Sequence, residues 1–121
     1  NVLANAIDAL TDHNPDETTP LQITIRTSSS PDGKWVAVAI ADNGPGIPDE
    51  IQHRIFDPFF TTKAVGKGTG LGMSISYQII TEKHGGILTC HSEPGQGTEF
   101  INQVPTTQIA DPKAVEITTV K

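Results

Sequence analysis

The chain has 121 residues, 36% hydrophobic and 18% charged, with a formal net charge of -6 and one cysteine. That is one domain's worth of globular protein, with enough apolar residues for a single core. Eight Lys and Arg leave no basic patch for a nucleic-acid backbone, one Cys excludes an internal disulfide or thiolate metal cluster, and no apolar run is long enough for a membrane span.

Asn1 to Leu10 reads as a helix, with Leu3, Ala6, Ile7 and Leu10 on one apolar face and Asn1, Asn5 and Asp8 on a second, polar face. Such a stripe either faces water or gathers amide and carboxylate oxygens for a hard cation, which prefers oxygen ligands. The helix pattern opens at Asn1 without an initiator Met and with no signal peptide, so a longer parent protein is expected. His13-Asn14-Pro15-Asp16 should end this helix, because the residue before proline avoids the α region. Leu21 to Thr27 alternates as a strand with Leu21, Ile23 and Ile25 on its buried face, Pro31-Asp32-Gly33 signals a hairpin turn, and Trp35 to Asp42 is a second strand, antiparallel to the first.

Asp42-Asn43-Gly44-Pro45-Gly46-Ile47 sets an acid at a strand end beside two glycines. The segment reads either as an ordinary turn or as a buried carboxylate that accepts a hydrogen bond from an exocyclic amine such as that of adenine. Pro48-Asp49-Glu50 starts a short helix, Ile51 to Ile55. Phe56 to Phe60 holds three of the four phenylalanines, at least partly for the core, and a mobile lid is expected over residues 57–69.

Gly66-Lys67-Gly68-Thr69-Gly70-Leu71-Gly72 alternates four glycines with other residues directly ahead of an apolar helical stretch. Glycine lets backbone approach an anion closely, and the unpaired N–H groups of a helix start favour phosphate. The run also fits a flexible loop. Leu71 to Lys83 should be a helix with Leu71, Ile75 and Ile79 on one face, stopped at Gly85-Gly86 after His84. Ile87 to His91 and Thr98 to Val104 are two further strands around a Glu93-Pro94-Gly95-Gln96-Gly97 turn, with Cys90 a buried, inert thiol. His13, His53 and His91 show no zinc-ligand spacing.

Four segments in this order resemble the catalytic ATP-binding domain of sensor histidine kinases, within the superfamily that includes gyrase B, chaperone and mismatch-repair ATPases. Asn1 to Ala9 resembles the N box, Asp42 to Ile47 the first glycine box, Phe56 to Lys63 the F box and Gly66 to Gly72 the second glycine box; His84-Gly85-Gly86 and Pro94 to Phe100 match the closing segment. The resemblance covers residues 1–105 as one catalytic domain and leaves 106–121 as a C-terminal tail or linker. It implies an α+β, two-layer α/β sandwich of Bergerat type, with helices on one face of a mixed, mainly antiparallel sheet.

The cofactors implied are ATP and Mg²⁺. Asn5 would ligate the metal, with Asn1 and Asp8 on the same helix face near it. Asp42 would hold the adenine amine, with Gly44, Gly46 and Ile47 shaping that pocket. Lys63 and Lys67 would approach the terminal phosphates, Lys63 counting with Asn1 as a catalytic residue. Gly68, Thr69, Gly70, Leu71 and Gly72 would bind the phosphate chain, and Arg54 is a further phosphate candidate. Asp8 and Ala9 depart from the many relatives that carry a base and an aromatic there.

Relatives that hydrolyse ATP resemble this helix but carry a glutamate at the place of Asn1, as general base for water. An amide cannot take that proton. The expected activity is therefore that of a protein-histidine kinase, transferring the γ-phosphoryl group to a histidine on a separate dimerisation domain, with a response-regulator receiver downstream. The alternatives are an ATP-hydrolysing module of the gyrase or chaperone type and a non-catalytic nucleotide-binding docking module. The expected setting is cytoplasmic, with a membrane anchor elsewhere in the parent left open, no nucleic-acid partner and no direct membrane contact by this segment.

Overall fold

The computed structural model describes residues 1–12, 20–61 and 70–107. Helix α1 (Val2–Asp12) is followed by strands β1 (Ile23–Ser29) and β2 (Trp35–Asp42), a single helical turn α2 (Asp49–Gln52), helix α3 (Gly72–Gln78) and strands β3 (Ile87–Glu93) and β4 (Gly97–Pro105). The strands lie in the order β1-β2-β4-β3, and all three pairs are antiparallel. The described sheet is thus antiparallel throughout, with no parallel neighbour among the described residues.

Register fixes what faces the helices. Ile40 stands opposite Ile25 and Phe100, Asp42 opposite Ile23 and Thr98, and Phe100 opposite Cys90. Because side chains alternate across a strand, these residues share one face of the sheet. On that face Met73, Leu88 and Phe100 are buried together, with Val2, Ile47, Ile55, Phe56, Ile80 and Cys90 packed round them. The Phe56 ring stacks on Tyr77 at 5.0 Å and meets the edge of Phe100 at 6.4 Å, so the first phenylalanine of the F-box segment belongs to the core.

Three expectations change. The buried line of α1 runs through Val2, Ala6 and Leu10, while Leu3 and Ile7 are exposed, Ile7 by 53%. The helix packs on β2, which covers a narrower stripe than the apolar pattern offers. On α3, Ile75 is exposed and Met73 and Ser74 are buried, so the sheet-facing line lies beside the predicted stripe of Leu71, Ile75 and Ile79. The helix also widens into a π-helical turn over Ile79–Lys83. It stops where predicted: Gly85 takes a positive φ of 64° and Gly86 N–H donates to Ile80 O at 2.7 Å. Finally, β1 is an edge strand among the described residues. Leu21 and Ile25 are exposed and Ile23 alone is half-buried, so the predicted buried face of Leu21, Ile23 and Ile25 survives only at Ile23. The end of the first helix at His13 to Asp16 and the tail 108–121 lie outside the described residues.

Candidate functional site

Helix α1 joins the two glycine segments. At its first turn, Asn1 Nδ2 donates to Gly72 O at 3.0 Å, and a Cβ on Gly72 would lie 3.4 Å from Asn1 Cγ. At its last turns, Ala9 O would lie 3.6 Å from a Cβ on Gly44. Eight residues of helix separate the two contacts, about 12 Å at 1.5 Å per residue. Asn1, Asn5 and Asp8 run along that interval, and the side of the helix they share is the polar one read from the sequence. Because a carbonyl only accepts, the Asn1 amide must turn its nitrogen to Gly72 and its oxygen away.

Asp42 ends β2 and is buried. Its Oδ1 accepts the N–H of Gly44 at 2.9 Å, and the backbone N–H of Thr98 also donates to the carboxylate. Burial pushes its carboxyl above the ordinary carboxylate value, and the two N–H donors pull the other way. A Cβ on Gly44 would fall 2.9 Å from Asp42 Oδ1, so any larger residue there has to displace the carboxylate. Burial, aided by the charge of Asp42, pushes the Cys90 thiol up to about 11, as fits an inert cysteine.

The segment after Asp42 is clasped to the β3–β4 hairpin. Ile47 N–H donates to Ser92 Oγ at 2.7 Å, Gly95 N–H donates to Pro45 O at 2.7 Å, and Gln52 Nε2 donates to both Ile47 O and Ser92 O at 2.9 Å. Gly46, at a φ of 76°, lies so close that a Cβ would sit 2.3 Å from Glu93 O. Ser92, Gln52 and Thr98 were not expected as site residues. The one sequence signal was a polar residue, Ser92, at an inward position of the Leu88–Cys90–Ser92 alternation.

Phe59 has a φ of 66° and Gly70 a φ of 70°, and a Cβ on Gly70 would fall 2.3 Å from the Phe59 carbonyl carbon. Both conformations lie in the left-handed region. Phe59 is 74% exposed, and the guanidinium of Arg54 lies 4.7 Å from the centre of the Phe60 ring, so the second and third phenylalanines of this segment leave the core. Leu71 is the residue preceding α3. Lys63, Lys67, Gly68 and Thr69, with most of the predicted lid, lie outside the described residues. A depression of about 370 Å³ at the hairpin end of the sheet is lined by Asp42, Ser92 and Thr98 together with Ala41, His91 and Glu99, so it takes in residues of both sheet faces at the end of β2.

The sequence profile of the "Histidine kinase-, DNA gyrase B-, and HSP90-like ATPase" family matches residues 1–108. The sensor kinase CckA of Brucella abortus (strain 2308) is 41% identical over 113 residues, covering 83% of this chain and 11% of that protein. The signal transduction histidine-protein kinase AtoS of Escherichia coli (strain K12) is 41% identical over 105 residues, covering 87% of this chain and 16% of that protein. Among solved structures, the catalytic domain of histidine kinase ThkA superposes with a TM-score of 0.67 at 36% identity, covering 86% of this chain and 61% of that one. Full-length ShkA in complex with AMPPNP gives a TM-score of 0.67 at 30% identity, covering 92% and 22%. The chain therefore spans a small part of the curated relatives it matches.

Proposed function

Because the chain belongs to the histidine kinase-, DNA gyrase B- and HSP90-like ATPase family, we propose that it binds Mg-ATP along α1 and passes the γ-phosphoryl group to a histidine of a separate dimerisation domain in two-component signalling. The observation that carries this reading is the span of α1 from Gly72 to Gly44, with a polar stripe between a buried acid at one end and a glycine-started helix at the other. The donor set fits the ligand. Asp42 is a buried acceptor for an exocyclic amine, and the amide oxygens of Asn1 and Asn5 are hard donors of the kind Mg²⁺ takes. Gly44 and Gly72 leave no Cβ in the way.

In this reading Asp42 holds the adenine amine, with Gly44, Gly46 and Ile47 forming the wall beside it. Asn5 ligates Mg²⁺, which when bound offsets the charge of the triphosphate. Asp8 lies near the metal's waters. Gly68, Thr69, Gly70, Leu71 and Gly72 bind the phosphate chain, and Lys63 and Lys67 approach its terminal oxygens. Asn1 positions without abstracting a proton, so the nucleophile comes from outside the chain. None of the four histidines is followed by an acid, unlike the family's acceptor histidine. Similar chains point the same way: ShkA was solved with AMPPNP, and ThkA was solved with the response regulator protein TrrA. No helix among the described residues is long and apolar enough to cross a membrane; we place the domain on the cytoplasmic side, with a receiver domain downstream, and assign residues 106–121 to a tail or linker.

Calorimetric titration with Mg-ADP tests the reading. Binding should weaken at least about tenfold in Asp42→Ala, which loses a buried hydrogen bond and its charge, and also in Asn5→Ala. Undiminished affinity in Asp42→Ala would reject the adenine assignment. Steady phosphate release from ATP without any acceptor domain would instead favour an ATP-hydrolysing module.

A further inference from the structure

Ser92 Oγ makes three contacts: it lies 2.7 Å from Ile47 N, 2.9 Å from Thr98 Oγ1 and 3.0 Å from Gly97 O. A hydroxyl has one proton to give and two lone pairs to fill. Ile47 N–H can only donate, and Gly97 O can only accept. All three contacts are attractive in one arrangement alone: Ser92 gives its proton to Gly97 O and accepts from both Ile47 N–H and Thr98 Oγ1. Thr98 has then spent its proton on Ser92, and its oxygen can only accept from anything else.

Thr98 is buried, stands opposite Asp42 in the β2–β4 ladder, and shares its face of the sheet. Two acceptor oxygens therefore sit side by side at the end of β2. The β2–β4 ladder sets their spacing, while the clasp between the 43–48 segment and the hairpin sets the wall beside them, and Gln52 closes that clasp from the α2 side by bonding Ile47 O and Ser92 O with one amide nitrogen. Gln52 Nε2 also lies 3.2 Å from Asp49 Oδ1, a longer contact that shares a proton already directed at one of those carbonyls.

We propose that Ser92 and Gln52 are positioning residues of the purine pocket: they lock the 43–48 segment onto the β3–β4 hairpin and keep Thr98 an acceptor beside Asp42, so that the pocket takes a purine with an amine at C6 and rejects one with a carbonyl there. This rests on the reading of Asp42 as the base-contacting residue. Neither side chain needs to touch the nucleotide. Ser92 acts through the proton of Thr98, and Gln52 acts through the backbone of Ile47.

The test compares Mg-ADP and Mg-GDP binding to the 121-residue chain and its Ser92→Ala, Ser92→Thr, Gln52→Leu and Asp42→Ala variants, together with amide hydrogen exchange of Ile47 without nucleotide. Ser92→Ala should lower the ADP-over-GDP preference about tenfold, because the freed Thr98 proton can donate to a C6 carbonyl. Ser92→Thr, which keeps the oxygen, should restore the preference. Gln52→Leu should weaken ADP severalfold and speed exchange at Ile47. If Ser92→Ala does not fold, Thr98→Val removes the same acceptor and should lower the preference likewise. An unchanged ADP/GDP ratio in Ser92→Ala or Thr98→Val, equal weakening of both nucleotides, or unaltered Ile47 exchange in Gln52→Leu overturns the positioning role. If Asp42→Ala keeps the full preference, the base-contact reading itself fails and the positioning role falls with it.

Discussion

Replacing Gly46 by alanine separates the geometry of the clasp from backbone strain alone. Gly46 and Gly95 both hold positive φ, 76° and 81°, but a Cβ on Gly46 would lie 2.3 Å from Glu93 O, whereas nothing lies within 4 Å of one on Gly95. Each substitution forces an L side chain into the left-handed region, at a cost of roughly 1–2 kcal/mol. Gly46→Ala must in addition push the segment off the hairpin by about an ångström to reach an ordinary carbon–oxygen contact. That movement breaks Ile47 N–H to Ser92 Oγ and Gly95 N–H to Pro45 O, both 2.7 Å long. With each bond contributing about 0.5–1.5 kcal/mol, the total for Gly46→Ala is about 2–5 kcal/mol. Differential scanning calorimetry should find Gly46→Ala melting about 5–15 °C below Gly95→Ala. Mg-ADP affinity should follow, falling about tenfold in Gly46→Ala and staying within about twofold in Gly95→Ala. If the two variants melt within about 2 °C of each other, the close approach at Glu93 does not hold the segment and the reasoning is wrong.

Two further expectations rest on single residues. Leu88, 3% exposed in the Met73–Leu88–Phe100 cluster, should lose about 2–5 kcal/mol on truncation to alanine, lowering the melting temperature by at least about 8 °C; a smaller drop would show that the sheet and helices are not joined there. Asp42 carries a pH signature: burial raises its folded carboxyl above the unfolded value, so the stability it contributes is present below the unfolded pKa and is lost as pH rises through the folded one. Asp42→Asn removes that titration, and thermal melts from acid to neutral pH should show the variant gaining on the parent as pH rises while binding Mg-ADP more weakly. A parent that gains on the variant instead would reverse the sign of the shift.

The strands were the most legible part of the fold. Trp35 to Asp42 was bounded correctly because its alternation runs unbroken between a Pro-Asp-Gly turn and a Gly-Pro-Gly turn, and both signals are local. The glycine segments read as a tight turn and as backbone that approaches an anion; in the structure Gly46 and Gly70 each abut another stretch of the chain's own backbone, which the sequence did not indicate. The clasp through Ser92 and Gln52 was not legible, since a serine in a strand and a glutamine in a four-residue helix look like surface positions until the hairpin brings them to Ile47.

Sequence periodicity alone says that α1 and α3 each carry an apolar stripe, and that Asn1, Asn5 and Asp8 share a side, because spacing along a helix is a property of the chain itself. It does not say which residues of a stripe meet the sheet. Val2, Ala6 and Leu10 are covered while Leu3 and Ile7 are not, and β1 leaves Ile25 exposed at an edge, because burial depends on which neighbour arrives and how far it reaches. The acid at Asp42, the glycines and the amides were written locally. Their placement relative to α1, and the commitment of the Thr98 proton to Ser92 that leaves its oxygen an acceptor, followed only once the hairpin and helices had packed against one another.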